Sequence, residues 1–240
     1  MPDLPKILVA AHEVKIRFDE MLLRANVHDS GEARVAAILC LTVSEQFAAA
    51  LHLVEGGFST HAPIIVRSML EGLASLLNLV KDPNYLDQMK FEDARANVIL
   101  FEGYAADPDM REDNEAIATL AAWKAKAQPV RDALKATGIK HQGIIEQFKR
   151  AGMLQDYIAY RVFCSFAHND LTTLMSRHAG SFLRYHHEAP AETTASTLTV
   201  ALSILCKAIN TLPKFTDLPA EEVTHTIDDA NATWTRPSDP

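Results

Sequence analysis

Apolar residues recur three and four positions apart along nearly the whole chain, while the two-residue alternation of a half-buried strand is almost absent. Only a helix buries one face with that period, so the fold class is expected to be all-α. Ile7, Leu8, Ala11, Val14, Phe18, Leu22 and Leu23 share one face and predict a helix over 4–27, ended by the turn His28-Asp29-Ser30-Gly31. Residues 32–55 are apolar almost all round, which predicts a central position. Gly56-Gly57 stops that helix. Ser59 or Thr60 is placed to cap the next one, whose first turn tolerates Pro63 and whose apolar residues run from Ile64 to Val80. A fourth helix follows Asp82-Pro83 and reaches about residue 104. After the polar loop 105–114 a more charged helix spans 115–136, with Pro129 expected to kink or split it. A short helix near 141–151, a long one over 154–177 and a last one over 191–212 complete the pattern.

Long helices joined by short turns favour antiparallel neighbours. The expected architecture is therefore an antiparallel helical bundle of seven or eight helices in a single domain, 1–216. Segment 115–150 reads as a more polar helical appendage, and 217–240, polar and with three prolines, as a C-terminal tail.

Composition narrows the class. Of 240 residues 48% are hydrophobic and 22% charged, which fits a globular chain and excludes wholesale disorder. With 23 Lys+Arg against 31 Asp+Glu the formal charge is -8, which argues against a general nucleic-acid coat protein but leaves room for a local basic pocket. Cys40, Cys164 and Cys206 lie far apart in apolar runs, a pattern of reduced thiols rather than of a disulfide framework or zinc knuckle. The apolar run 7–11 is too short for a signal peptide. The window 35–54 approaches membrane length but carries Glu45, Gln46 and His52 with no flanking Lys/Arg cluster, so it is read as a buried helix rather than a membrane span. A cytoplasmic protein is expected.

No GxGxxG, GxxxxGK[ST], HExxH, GxSxG or CxxC pattern occurs, which makes nucleotide-fold enzymes, zincins and α/β-hydrolases poor fits. What remains are polar residues on apolar helices. Tyr157, Arg161, Ser165, His168 and Thr172 follow at steps of four, four, three and four, one stripe of one expected helix. A guanidinium binds phosphate oxygens through paired hydrogen bonds, and an imidazole exchanges protons with a ribose hydroxyl near neutral pH. The pair suits phosphodiester chemistry, with Arg161 and His168 as the candidate catalytic residues and Tyr157, Ser165 and Asn169 as supporting ones. A second set, Arg67, Glu71, Ser75 and Asn78, lies on the third helix. Glu71 there is placed to partner Arg161 or His168 across the helix pair, or else Arg67 four residues back. In a purely structural version, Arg161 pairs with a buried carboxylate such as Glu71 and His168 bonds a backbone carbonyl. Removing Glu71 would then cost about 3–5 kcal/mol. Glu45 and His52 share a side of the second helix, but no Glu-x-x-His pair falls at bundle depth, and His186-His187 read as solvated loop residues. No metal or other cofactor is expected.

The segment Arg161-Val-Phe-Cys-Ser-Phe-Ala-His168 resembles the Arg-x(4–6)-His pattern of the HEPN superfamily, all-helical proteins of prokaryotic toxin and defence systems. Arg67-Ser-Met-Leu-Glu71, followed by this helix, is also similar to a large group of uncharacterised bacterial helical proteins. The resemblance implies a metal-independent endoribonuclease acting on RNA as a homodimer, with an antitoxin or another protein as partner. It also implies that Arg161 steadies the scissile phosphate while His168 helps the ribose 2′-hydroxyl attack it. Such a site would be a solvent-reachable cleft rimmed by basic residues such as Arg177, Arg184 and Lys207. The alternative is a non-catalytic helical module that binds a small ligand or a protein partner.

Overall fold

The computed structural model describes residues 3–168, 170–179, 182–185 and 188–235. These residues form ten α-helices, two short 3-10 turns and no β-strand, so the chain is all-helical. In chain order the helices are α1 (Leu4–Arg24), α2 (Gly31–Glu55), α3 (Ala62–Lys81), α4 (Tyr85–Ala106), α5 (Asn114–Ala136), α6 (Ile144–Ala151), α7 (Asp156–Ala167), α8 (Leu171–His178), α9 (Ala191–Ile209) and α10 (Ala220–Trp234). Side-chain caps start three of them: Asp3 accepts from Lys6 N–H, Ser30 from Ala33 N–H and Asp113 from Ala116 N–H. Ser59 and Thr60 do other work than capping α3. Ser59 accepts the Ala189 N–H at 2.8 Å, and Thr60 meets His61 Nδ1 at 3.2 Å.

The chain divides into two compact units, 1–81 with 144–240, and 82–143. In the first, α3 packs on α2, α6, α7 and α9, and α1 packs on α10 and α9. Its core holds Phe18, Phe47, Leu51, Met69, Leu70, Leu73, Leu76, Phe148, Leu198, Ile204 and Leu205, all at 1% exposure or less. α2 packs on α3, α9 and α1 with Ala36, Cys40, Val43, Phe47 and Leu51 buried, while its Ile38 and Leu41 stay exposed. Gly31–Glu55, Ala62–Lys81 and Ala191–Lys214 are long and apolar enough to cross a membrane by length and composition, with 44%, 50% and 61% of those windows buried inside the fold. In the second unit α4 packs on α5 over Ala94, Val98 and Ala127. Gln88 there donates to the Lys140 carbonyl at 2.9 Å, and Glu92 accepts from Gln142 N–H at 2.8 Å.

The described helices number ten rather than the seven or eight expected, and the body expected as one domain over 1–216 falls into two compact units. Further expectations change as well. The helix expected over 154–177 is two, α7 and α8, because the chain leaves helical geometry after Ala167 and resumes at Leu171. Asn and Asp side chains compete for backbone hydrogen bonds and favour helix ends over interiors, and Asn169-Asp170 stands at the break. Of the kink or split expected at Pro129, the split is absent: α5 runs past it as one helix. The segment read as a polar appendage, 115–150, belongs to two bodies: α5 pairs with α4, while α6 packs on α3 in the larger unit. Finally, much of the expected polar tail is α10. Val223 and Ala230, seven apart, are buried with Thr233 on its inner face, and α10 lies on α1. An antiparallel bridge between Val27 and Thr216 and two bonds to Asp217, from Asn26 N–H at 2.9 Å and Asn26 Nδ2 at 2.7 Å, fix its approach.

The cysteines are free thiols. Burial pushes the Cys40 thiol up to about 12 and the Cys206 thiol up to about 11. Because the thiolate is the nucleophile, both are expected to resist a thiol reagent at pH 8 in the native protein and to react in denaturant. Rapid native labelling of more than one thiol would contradict that burial.

Candidate functional site

The inner face of α7 is built by Tyr160 and Phe163, both buried, with Tyr157 and Cys164 half-buried beside them. Phe148 of α6 anchors this face. Its ring centroid lies 5.1 Å from that of Tyr160 and 5.6 Å from that of Tyr157, and the two tyrosine rings stack at 5.7 Å and 21°. The Tyr160 hydroxyl reaches α3, where it donates to Glu71 Oε1 at 2.9 Å. Arg67 Nη2 donates to the same carboxylate oxygen at 2.9 Å and lies 3.3 Å from the Tyr160 hydroxyl, with the guanidinium carbon 5.4 Å from the Tyr160 ring centroid. The Tyr160 hydroxyl and the Glu71 carboxylate both raise the Arg67 guanidinium pKa, and burial raises the Tyr160 phenol to about 12. Tyr160 therefore stays a neutral donor throughout the physiological range.

Of the sequence-predicted residues, this arrangement brings Arg67 and Glu71 together and leaves Arg161 and His168 out. The partner of Glu71 is its own-helix neighbour Arg67 with Tyr160, not Arg161 or His168 across the helix pair. Tyr160, which the sequence reading missed, completes the triad. Tyr157, which that reading singled out, instead packs in the aromatic stack. The Glu71 side chain is 36% exposed, so the pair is screened by solvent. Glu71→Ala is accordingly expected to lower stability by about 1 kcal/mol in thermal melting, well short of the 3–5 kcal/mol of a sealed ion pair.

Arg161 and His168 occupy the outer side of α7. Seven positions apart on one helix, they differ by only about 20° in direction and about 10 Å in rise. Both are exposed, and neither side chain makes a hydrogen bond or ion pair among the described residues. His168 is the C-cap of α7, its N–H bonded to Cys164 O at 3.0 Å. Ser165, between them, donates its hydroxyl to Val162 O at 2.7 Å. Thr172, placed on the same stripe by the sequence, stands on α8 beyond the break, and Asn169 lies outside the described residues. Two of the three basic residues expected on a rim are committed elsewhere. Arg177 is buried, donates to Thr60 O at 3.0 Å and Phe166 O at 3.3 Å, and has its pKa lowered by desolvation. Lys207 is paired with Asp156 at 2.8 Å. Arg184 is exposed.

Large apolar side chains in this stretch are open to solvent: Ile158 and Val162 on α7, Leu171 and Met175 on α8, and Phe182 and Leu183 after it, with Ile158 72%, Leu171 75% and Leu183 91% exposed. Apolar side chains left exposed in such number along one stretch point to an interaction face. Among the described residues no group of three or more His, Cys, Asp or Glu side chains is placed to hold a metal ion.

Residues 33–182, more than half of the chain, match the model of a family of unknown function, DUF5677. The chain belongs to DUF5677. No curated protein and no solved structure matches it. The DUF5677 region contains the Arg67–Glu71–Tyr160 triad, the Arg161–His168 stripe and all of the exposed apolar residues named above except Leu183, and it leaves α1, α9 and α10 outside.

Proposed function

We propose that this DUF5677 chain is a HEPN-like, metal-independent endoribonuclease of the toxin or phage-defence type, with Arg161 and His168 as its reacting pair. One observation carries the reading: both side chains are exposed on the same side of α7 and engaged by no other described residue, whereas Arg67, Glu71 and Tyr160 are committed to one another. Arg161 grips the scissile phosphate through paired N–H donors. His168 takes the proton of the ribose 2′-hydroxyl as that oxygen bonds to phosphorus. The bond from phosphorus to the 5′-oxygen breaks and that oxygen is protonated, leaving a 2′,3′-cyclic phosphate and a 5′-hydroxyl. Ser165 lies on the same stripe between them. The exposed apolar side chains of α7 and α8 support a homodimer through this face, which an antitoxin or another protein partner would also cover. Scattered free thiols support a cytoplasmic protein, and short connections between packed helices support an antiparallel bundle.

A second reading, a non-catalytic helical module for a small ligand or a protein, is favoured by the closure of the Arg67–Glu71–Tyr160 triad as a structural element. Cleavage of single-stranded RNA in the presence of a chelator, by the chain and by its His168→Ala variant, separates the two.

A further inference from the structure

In the unit 82–143, α4 and α5 leave a groove of about 590 Å³ along their seam. Its floor is Ala94 and Ala127, both buried, and its walls are Lys90, Asp93 and Asn97 from α4 with Trp123, Lys126 and Val130 from α5. Trp123 is 49% exposed, so much of the indole is open to solvent above an apolar floor. A large aromatic ring left open in a monomer is a platform for a flat partner.

The groove's own charges are Lys90, Lys126 and Asp93, a net positive set in a chain that is acidic overall. Of the further cations on this part of α5, Lys124 pairs with Glu102 of α4 at 3.4 Å and Arg131 with Asp132 at 2.8 Å. Lys126 makes no hydrogen bond or ion pair among the described residues. Lys90 holds Asp87 at 2.9 Å in a pair exposed on both sides, a weak contact that a phosphate can displace. Asp93 is the one carboxylate in the groove. Asn97 Nδ2 donates to it at 3.4 Å, and it remains an acceptor for a base amine. An aromatic platform with two lysines in the same lining suits the alternation of base and phosphate in a single strand, where stacking and backbone charge together give sequence-tolerant binding.

We propose that this groove docks single-stranded RNA, one base stacking on Trp123 with the flanking phosphates on Lys90 and Lys126. The choice of ligand rests on the ribonuclease reading. The docking site itself is separate from Arg161 and His168 in residues and in unit.

The sequence holds two tryptophans, Trp123 and Trp234, so Trp234→Phe makes Trp123 the only indole reporter. Titrating this variant, in a His168→Ala background that blocks cutting, with a ten-nucleotide oligouridylate is expected to quench its emission. With a dye-labelled RNA, Trp123→Ala is expected to raise Kd about tenfold. The double variant Lys90→Glu, Lys126→Glu should raise Kd at least as much and make the salt dependence shallower by roughly 1.4 in log–log slope, the share of two phosphate contacts. Unchanged emission, or unchanged Kd in variants whose far-ultraviolet circular dichroism is native, overturns the proposal. A Trp123 emission that shifts with protein concentration and not with RNA also overturns it, by identifying a self-association face. Cleavage that persists while Trp123 is silent leaves the ribonuclease reading standing and removes the groove. Quenching without cleavage by the uncut background's parent does the reverse.

Discussion

Replacing His168 by alanine is expected to lower chelator-resistant RNA cleavage by about 10²–10⁴-fold, the usual contribution of one general acid–base group and about 3–5 kcal/mol of barrier. The fold should not notice the change, because the side chain is exposed and makes no bond to any described residue. Thermal melting and circular dichroism of the variant should therefore match the parent. Arg161→Ala should act through the phosphate, and Arg161→Lys should restore little, since an ammonium keeps the charge but loses the two-pronged geometry. Equal cleavage by parent and His168→Ala would end the ribonuclease reading and leave the binding-module reading in place. A variant that loses both cleavage and melting temperature would mean instead that residue 168 is structural, against its exposure.

Phe148→Ala is expected to cost about 3–5 kcal/mol, the largest stability loss of any single truncation near the site. Phe148 is fully buried and supplies most of the apolar anchor of an eight-residue helix too short to hold itself together in isolation. Its ring also backs Tyr157 and Tyr160, so the cavity left behind loosens the Tyr160 hydroxyl that bridges to Glu71. At about 2–4 °C per kcal/mol for a chain of this size, the melting temperature should fall by roughly 10 °C. A drop within a degree or two would mean that α6 does not pack where the structure places it. The contrast with Glu71→Ala, at about 1 kcal/mol, follows from exposure: dry aromatic packing retains its full value, while a wet ion pair loses most of its own.

The long apolar helices were legible because their period is unambiguous over four or more turns and glycines or prolines mark their ends. Leu70, Leu73 and Leu76 on α3, and Phe47 and Leu51 on α2, sit in the core as their spacing implies. The break after Ala167 was harder to see, since apolar residues at Phe163, Phe166, Leu171 and Leu174 continue the helical period across Asn169-Asp170, and only the local preferences of those two polar residues argue for a stop. Helix α10 was hidden by composition, its buried face being made of Val223, Ala230 and Thr233 among acids and threonines rather than of leucines. At the candidate site, Arg67 and Glu71 could be placed on one face from their spacing of four. Which side chain of the facing helix would meet them could not. Tyr160 is one residue from Arg161, yet that single step turns about 100° around α7 and separates the inner network from the outer, solvent-facing pair. Sequence spacing fixes directions within one helix; the rotation of that helix against its neighbour is set by packing between the two.

The chain leaves the larger unit after Lys81 and re-enters it at Ile144. Near both crossing points the body is stitched to itself, Asn78 donating to the Gln147 carbonyl at 3.0 Å and Lys81 to the Ala151 carbonyl. The ends of the 82–143 excursion are thus clamped together by the scaffold they depart from, independently of what lies between them. Chain-closure entropy grows only slowly with the length of such a detour. Insertions, deletions or wholesale exchange of the α4–α5 pair therefore cost the scaffold little.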